Sequence, residues 1–244
     1  MIRNGKAYIC VFAYPRDWDA LRFPSVFSEK TRGMLLEGEL TDRLRQSAAA
    51  ELAYRAARMA AWKEASANAG GSPFIEDPNE WTRRDYIKME SGKPILQEGF
   101  VSITHTPGLS AAVFSFAPVG IDAERERSCS DKLIRRALGA EEYGEYERAQ
   151  DKPAFFLRSW TAKESCLKLT GEGIGGPIAE LRYERERRLI SGGNLPHGYE
   201  IVPAEALQDG RRVFLSVCCP KSIETSWIVF SDPIELLIYI NAIC

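Results

Sequence analysis

Apolar positions along this chain follow two rhythms. Over residues 44–67 they recur at helical spacing, with Leu52, Ala56, Met59 and Ala60 among them, and the alanine-rich composition predicts a long helix. The stretch Ala69-Gly70-Gly71-Ser72-Pro73 ends it. A second helix is predicted from Pro153-Ala154-Phe155-Phe156-Leu157 onward, with Asp151 as N-cap, Pro153 in the tolerant first turn, and Gly171 and Gly173 as terminators. Shorter helices are predicted over 131–138 and 141–149. Runs of β-prone apolar residues predict strands at 9–14, 101–106, 110–116, 181–185, 199–202, 212–218 and 226–230. Ala117-Pro118-Val119-Gly120 reads as a turn, so 110–116 and 121–124 are expected to form a hairpin. Residues 81–89 fit neither rhythm. This order of elements predicts an α+β fold with antiparallel sheets.

Two of these elements carry chemistry. In a strand, residues i and i+2 share a face, so Asp122 and Glu124 are expected on one side and Ile121 and Ala123 in the core. In the second long helix Trp160, Glu164 and Lys168 stand at i, i+4 and i+8 on one stripe, with Lys163 beside it. Either piece alone is ordinary: a helical Glu–Lys pair is commonly a solvated surface pair worth about 0.3–0.5 kcal/mol. Together they supply three carboxylates and two lysines, a set suited to a divalent cation and a polyphosphate. Mg²⁺ takes oxygen ligands and keeps substrate phosphates in its shell.

Composition narrows the field. The chain has 244 residues, 45% of them hydrophobic, enough for a proper core in one large or two modest domains. Lys+Arg of 32 against Asp+Glu of 34, with no block of like charge, argues against non-specific nucleic-acid binding. The apolar run 9–14 is too short for a secretory segment and 234–243 too short to span a bilayer, so a cytoplasmic protein with no membrane partner is expected. Six cysteines show no zinc or redox spacing. Cys166 is expected to pack rather than react. Gly171-Glu172-Gly173-Ile174-Gly175-Gly176 satisfies a dinucleotide pattern in letters only, because a helix precedes it and Pro177 follows. His197, in a Gly/Pro-rich loop, reads as structural.

The two acidic pieces resemble those of the 4′-phosphopantetheinyl transferases, in particular their long, monomeric, surfactin-type branch. The family's G-[IV]-D-[IV]-E strand stands here as Gly120-Ile121-Asp122-Ala123-Glu124, and its [WF]-[SCT]-x-K-E-[SA]-x-x-K helix as residues 160–168. Gly92-Lys93-Pro94 and Ser102-Ile103-Thr104-His105-Thr106 fit two further blocks. Arg45-Gln46-Ser47 opens the long helix where the family places a phosphate-binding arginine. The resemblance covers about residues 45–175. Ala123 in place of a branched aliphatic, and Thr104 and Thr106 in place of serines, are its small departures.

The resemblance implies two similar α+β halves related by a pseudo-twofold, with antiparallel sheets packed against long helices. Residues 1–117 would bind the 3′-phosphate side of coenzyme A, and 118–244 would carry the metal and the catalytic groups. It implies transfer of the 4′-phosphopantetheine arm from coenzyme A to a serine of an apo acyl or peptidyl carrier protein, with release of 3′,5′-ADP. Asp122, Glu124 and Glu164 would hold Mg²⁺, with Mn²⁺ as the alternative. Glu164 would also orient or deprotonate the serine. Lys163 and Lys168 would neutralise the pyrophosphate, and Arg45, Lys93, Pro94, Thr104 and His105 would bind the 3′-phosphate and its surroundings. A monomer is implied. Two other classes fit the same residues: a metal-dependent diphosphate hydrolase, and a non-catalytic module that binds coenzyme A or a carrier protein.

Overall fold

The first strand dictates the architecture. Its apolar side chains stand at consecutive positions, and a strand of that kind must be covered on both faces. The computed structural model describes residues 5–15, 17–22, 26–37, 39–68, 87–88, 93–173 and 176–241. In chain order the elements are β1 (Lys6–Ala13), α1 (Glu29–Glu37), α2 (Asp42–Asn68), the short β2 (Ile87–Lys88) and β3 (Pro94–Ile95), β4 (Phe100–Thr106), β5 (Leu109–Ser115) and β6 (Gly120–Arg125). Then come α3 (Asp131–Ala137), α4 (Ala140–Arg148), α5 (Lys152–Thr170), β7 (Arg182–Glu184), β8 (Leu189–Ser191), β9 (Tyr199–Gln208), β10 (Arg211–Pro220), β11 (Glu224–Phe230) and α6 (Pro233–Asn241).

Two sheets stack face to face. One has the order β11-β1-β5-β4 and the other β6-β10-β9-β8-β7. Between them lies a core to which β1 sends Ala7, Ile9 and Val11, and β10 sends Val213, Leu215 and Val217. On its other face β1 sends Tyr8, Cys10 and Phe12 into a core shared with α2. The outer face of the second sheet sends Phe214 and Cys218 to α5. The layers therefore run α2, first sheet, second sheet, α5, and period-2 alternation along each strand assigns its side chains to two different cores. This is the α+β class expected, with antiparallel pairing throughout except that β1 and β11 run parallel.

The structure departs from the sequence reading in three places. The hairpin of 110–116 with 121–124 does not form. β5 already has β1 on one edge and β4 on the other, so no edge remains for β6. The segment through Pro118 instead carries the chain across to the second sheet, where β6 pairs with β10. The division at 117/118 is crossed by the end of the chain: β11 joins the first sheet, and Phe230, Leu236, Leu237 and Ile240 enter the α2 core. Finally, α1, β8 and α6 form where the sequence reading assigns no element. Gly92 and most of 81–89 lie outside the described residues.

Candidate active site

Gly120 sets the distance between strand and helix. A β-carbon there would lie 1.9 Å from the Ser165 carbonyl oxygen and 2.8 Å from the Leu169 amide nitrogen, both in the α5 backbone. Glycine lets the helix lie directly on β6. Ile121 and Ala123 point into the core between the sheets. Asp122 and Glu124, on the Gly120 face, therefore meet the α5 stripe of Trp160, Glu164 and Lys168. The helix is fixed at both ends. The Asp151 carboxylate accepts the Ala154 N–H at 3.1 Å, and Gly171 closes the helix with a left-handed φ of 86°.

The charges at this junction are tightly coupled. Lys168 Nζ lies 2.7 Å from Asp122 Oδ1. Thr104, on β4 of the other sheet, donates its hydroxyl to the same oxygen at 3.3 Å and accepts the Ala123 N–H at 3.1 Å. Ser102 accepts the Ile121 N–H at 3.1 Å, so the two hydroxyls stitch the sheets together beneath the acids. Glu124 is held by Arg127 at 3.4 Å and by the Trp160 side chain. Burial first, and then Asp122, push its carboxyl above the usual range, while Arg127 opposes them. Glu164 is pushed up to about 7, first by burial and then by Asp122, with Lys168 opposing and Glu124 adding to the rise.

Two oxygens here are conspicuous. Asp122 Oδ2 and Glu164 Oε1 are buried and, among the described residues, have no hydrogen-bond partner. The two residues are only 7% and 5% exposed. Buried carboxylate oxygens without donors are costly, and a hard cation is the partner that suits them. The donor chemistry thus fits Mg²⁺. The packing does not gather it fully: among the described residues no three His, Cys, Asp or Glu side chains stand close enough to hold a metal ion. In this arrangement the three carboxylates are not closed around one point. The physical reason is that Lys168 and Arg127 already serve as counter-ions to Asp122 and Glu124.

The remaining predicted residues lie in several places. Lys163 is corrected: it is fully buried on another side of α5, ion-paired with Glu142 and donating to the Ala137 carbonyl at 2.8 Å. It ties α5 to the α3–α4 junction and does not face the acids. Lys93 donates to the Leu169 carbonyl near the C-terminal end of α5, beside half-buried Pro94. His105 is exposed and, by strand alternation, on the face opposite Thr104, so these two do not line one wall. Arg45 binds the Trp18 carbonyl at 2.8 Å and Asp42 at 2.6 Å. Cys166 packs against Cys218, sulfur to sulfur at 3.0 Å, away from the acids.

A cleft of about 500 Å³ runs from Arg45 to the Glu124 end of β6, while Asp122, Glu164 and Lys168 do not line it. Arg45 and the Thr106-Pro107-Gly108 turn belong to one side, and Glu124, Arg127 and Arg211 to the other. The sequence reading missed Arg127 and Arg211. The alternating run Glu124-Arg125-Glu126-Arg127 is the signal that could have found the first, since it continues the acidic strand with basic residues. Arg211 carries no such signal, because only the β10–β6 pairing brings it alongside.

Comparison with known proteins agrees with the two acidic motifs. Residues 118–189 match the model of the 4′-phosphopantetheinyl transferase superfamily. The 4′-phosphopantetheinyl transferase psf-1 of Bacillus pumilus is 30% identical over 89 residues, 34% of this chain and 38% of its own. The 4′-phosphopantetheinyl transferase Sfp of Bacillus subtilis (strain 168) is 30% identical over 99 residues, 38% of this chain and 44% of its own. The chain thus matches about two fifths of the length of these relatives. A solved structure, holo-[acyl-carrier-protein] synthase from Neisseria meningitidis, overlays with a TM-score of 0.31 at 16% identity, covering 42% of this chain and 97% of that one. The segment that holds both acidic motifs carries the signature of this superfamily.

Proposed function

We propose that this chain is a 4′-phosphopantetheinyl transferase of the surfactin type. It moves the phosphopantetheine arm of coenzyme A to a serine hydroxyl of an apo acyl or peptidyl carrier protein and releases 3′,5′-ADP. One observation carries this reading. A strand bearing Asp122 and Glu124 and a helix bearing Glu164 and Lys168 meet beside a cleft that reaches Arg45.

Each residue has a role the geometry supports. Asp122, Glu124 and Glu164 would hold Mg²⁺ once Lys168 and Arg127 give up their carboxylates, and the ion would supply charge neutralisation at the diphosphate. Arg45 and the cleft side chains bind the anionic donor and orient it. The serine oxygen forms the new bond to the phosphorus that carries the pantetheine arm, and the bond from that phosphorus to the oxygen of 3′,5′-ADP breaks. Glu164 takes the serine proton as the general base. Lys168 is released from Asp122 toward the negative charge on the departing phosphate. Such reactions ask little covalent work of the protein, so positioning and charge do most of it.

The test is mass spectrometry of apo carrier proteins from fatty-acid, polyketide and nonribosomal-peptide systems, incubated with the protein, coenzyme A and Mg²⁺. The expected result is a gain equal to the phosphopantetheine arm on one serine. That gain is lost on chelation and in Glu164→Gln and Asp122→Ala. Coenzyme A cleaved at the same rate with and without carrier would replace this reading by a diphosphate hydrolase. Carriers left unmodified across the panel would overturn it.

A further inference from the structure

Arg127 stands where the acids and the cleft meet. It lies three residues beyond Glu124, just past the end of β6, and its guanidinium reaches back to both Glu124 oxygens at 3.4 Å. A charge-assisted hydrogen bond usually closes to about 2.7–2.9 Å, so this pair is held loosely. The Arg127 side chain is 46% exposed and that of Glu124 25%. Both residues also line the cleft that contains Arg45. Lys168 repeats the arrangement one step deeper, with its ammonium on Asp122. Each candidate oxygen donor on β6 therefore carries a resident cation.

We propose that Arg127 is a counter-ion that changes partner: alone it neutralises Glu124, and when a divalent cation takes that carboxylate the guanidinium moves to a phosphate of the donor in the cleft. This rests on the functional reading above and adds a consequence to it. A cation arriving alone has to displace the guanidinium and leave it with no anionic partner on β6, only its weak contact to the Cys129 sulfur at 3.4 Å. A phosphate donor arriving alone meets a guanidinium already engaged by Glu124. Arriving together, each ligand releases the group the other one needs. Cation and donor then bind with positive coupling, and by linkage the coupling is the same measured from either side.

The experiment is a titration of the folded protein with Mn²⁺, followed by calorimetry or by the spin signal of free Mn²⁺, with and without saturating coenzyme A and with no carrier protein present. In the wild type, coenzyme A is expected to tighten Mn²⁺ binding by a factor in the range of about 5–150, as usual for coupled sites. In Arg127→Gln, Mn²⁺ alone is expected to bind more tightly than to the wild type, and the coenzyme A effect to shrink to about a third or less of its wild-type factor. Arg127→Lys, which keeps the charge, retains most of the coupling. If Arg127→Gln weakens coenzyme A binding while Mn²⁺ affinity and coupling stay at wild-type values, Arg127 is an ordinary phosphate contact and the proposal is overturned. A wild type that binds neither Mn²⁺ nor coenzyme A removes the functional reading, and this inference with it. Binding of both without coupling removes the inference alone.

Discussion

Glu164 is a charge the fold tolerates at a cost. Its carboxyl is pushed up to about 7 from the ordinary 4.5, by burial first and by Asp122 second. Between those two values the folded protein keeps a proton that the unfolded chain has released. Stability therefore falls as pH rises from about 4.5 to about 7, and the penalty is complete above that. In chelator-treated protein, Glu164→Gln is expected to raise the melting midpoint at pH 8 and to change it little at pH 5. Equal midpoints at pH 8 would show that burial of this charge costs nothing. On the proposed function the same substitution is expected to abolish transfer, and the residue would then trade stability for chemistry. Residue types at this scale were readable in the chain: the i, i+2 and i, i+4 spacings put Asp122 and Glu124 on one strand face and Glu164 and Lys168 on one helix stripe, and the packing of α5 on β6 brings the two together. Partners were less readable. Lys163 is next to Glu164 in sequence, yet the helix turns it by about 100° into a fully buried pair with Glu142. Only the packing of α3 and α4 on α5 provides that acid, and no local spacing encodes it.

The approach of α5 to β6 depends on one missing side chain. Gly120 has a β-carbon position 1.9 Å from a helix carbonyl, and backbone cannot yield as a flexible side chain can. Gly120→Ala is therefore expected to push the helix outward and to cost stability at or above the upper end of the about 1–3 kcal/mol typical of overpacking. Chemical denaturation would measure that loss. The transfer rate is expected to fall by more than stability explains, because Glu164 and Lys168 would retreat from Asp122. A variant with wild-type stability and rate would mean that the close approach is incidental. Helix α5 itself was legible, since Asp151, Pro153 and Gly171 mark its ends in residues whose capping chemistry is local. The fate of β6 was not. A turn-like segment with Pro118 serves a hairpin or a crossing between sheets equally well. What decides between them is that β1 and β4 already occupy both edges of β5, which is information held far away in the chain. Long β9 was anticipated only to Val202 for a related reason: Pro203 interrupts the local strand signal, and it is pairing with β10 that carries the strand on to Gln208.

At the scale of the whole molecule the two layers are joined by the end of the chain. After the second sheet is complete, β11 returns to lie parallel to β1, and α6 follows it onto the α2 core. A parallel pairing needs such a crossover, and here the connection runs through α1, α2, β4 and β5 before it takes in the whole second sheet with its helices. Residues 118–244 therefore cannot be lifted away as a unit, because their last two elements cover the first sheet. Phe230, Leu236, Leu237 and Ile240 are all buried there, between 0% and 8% exposed. At about 1.5–3 kcal/mol for each large apolar side chain removed from the core, their loss would amount to roughly 6–12 kcal/mol. That is comparable with the about 5–15 kcal/mol that holds a typical domain together. A chain ending at Ile223 is accordingly expected to lose its single cooperative unfolding transition, not merely to melt earlier. The point substitution Leu236→Ala, at about 2–5 kcal/mol, is expected to lower the midpoint while keeping one transition. Calorimetry separates these outcomes. The site would feel the same change. Arg45 rises from α2, whose core α6 helps to close, whereas Glu124 and Arg127 belong to the second sheet. Loosening the first layer moves one wall of the cleft and leaves the other in place. Leu236→Ala, 68 residues beyond Lys168 in the chain but packed into the core beneath α2, is then expected to weaken coenzyme A binding while leaving Mn²⁺ binding to the acids unchanged. Equal weakening of both ligands would mean that the layers move as one body and that the cleft does not depend on how the chain ends.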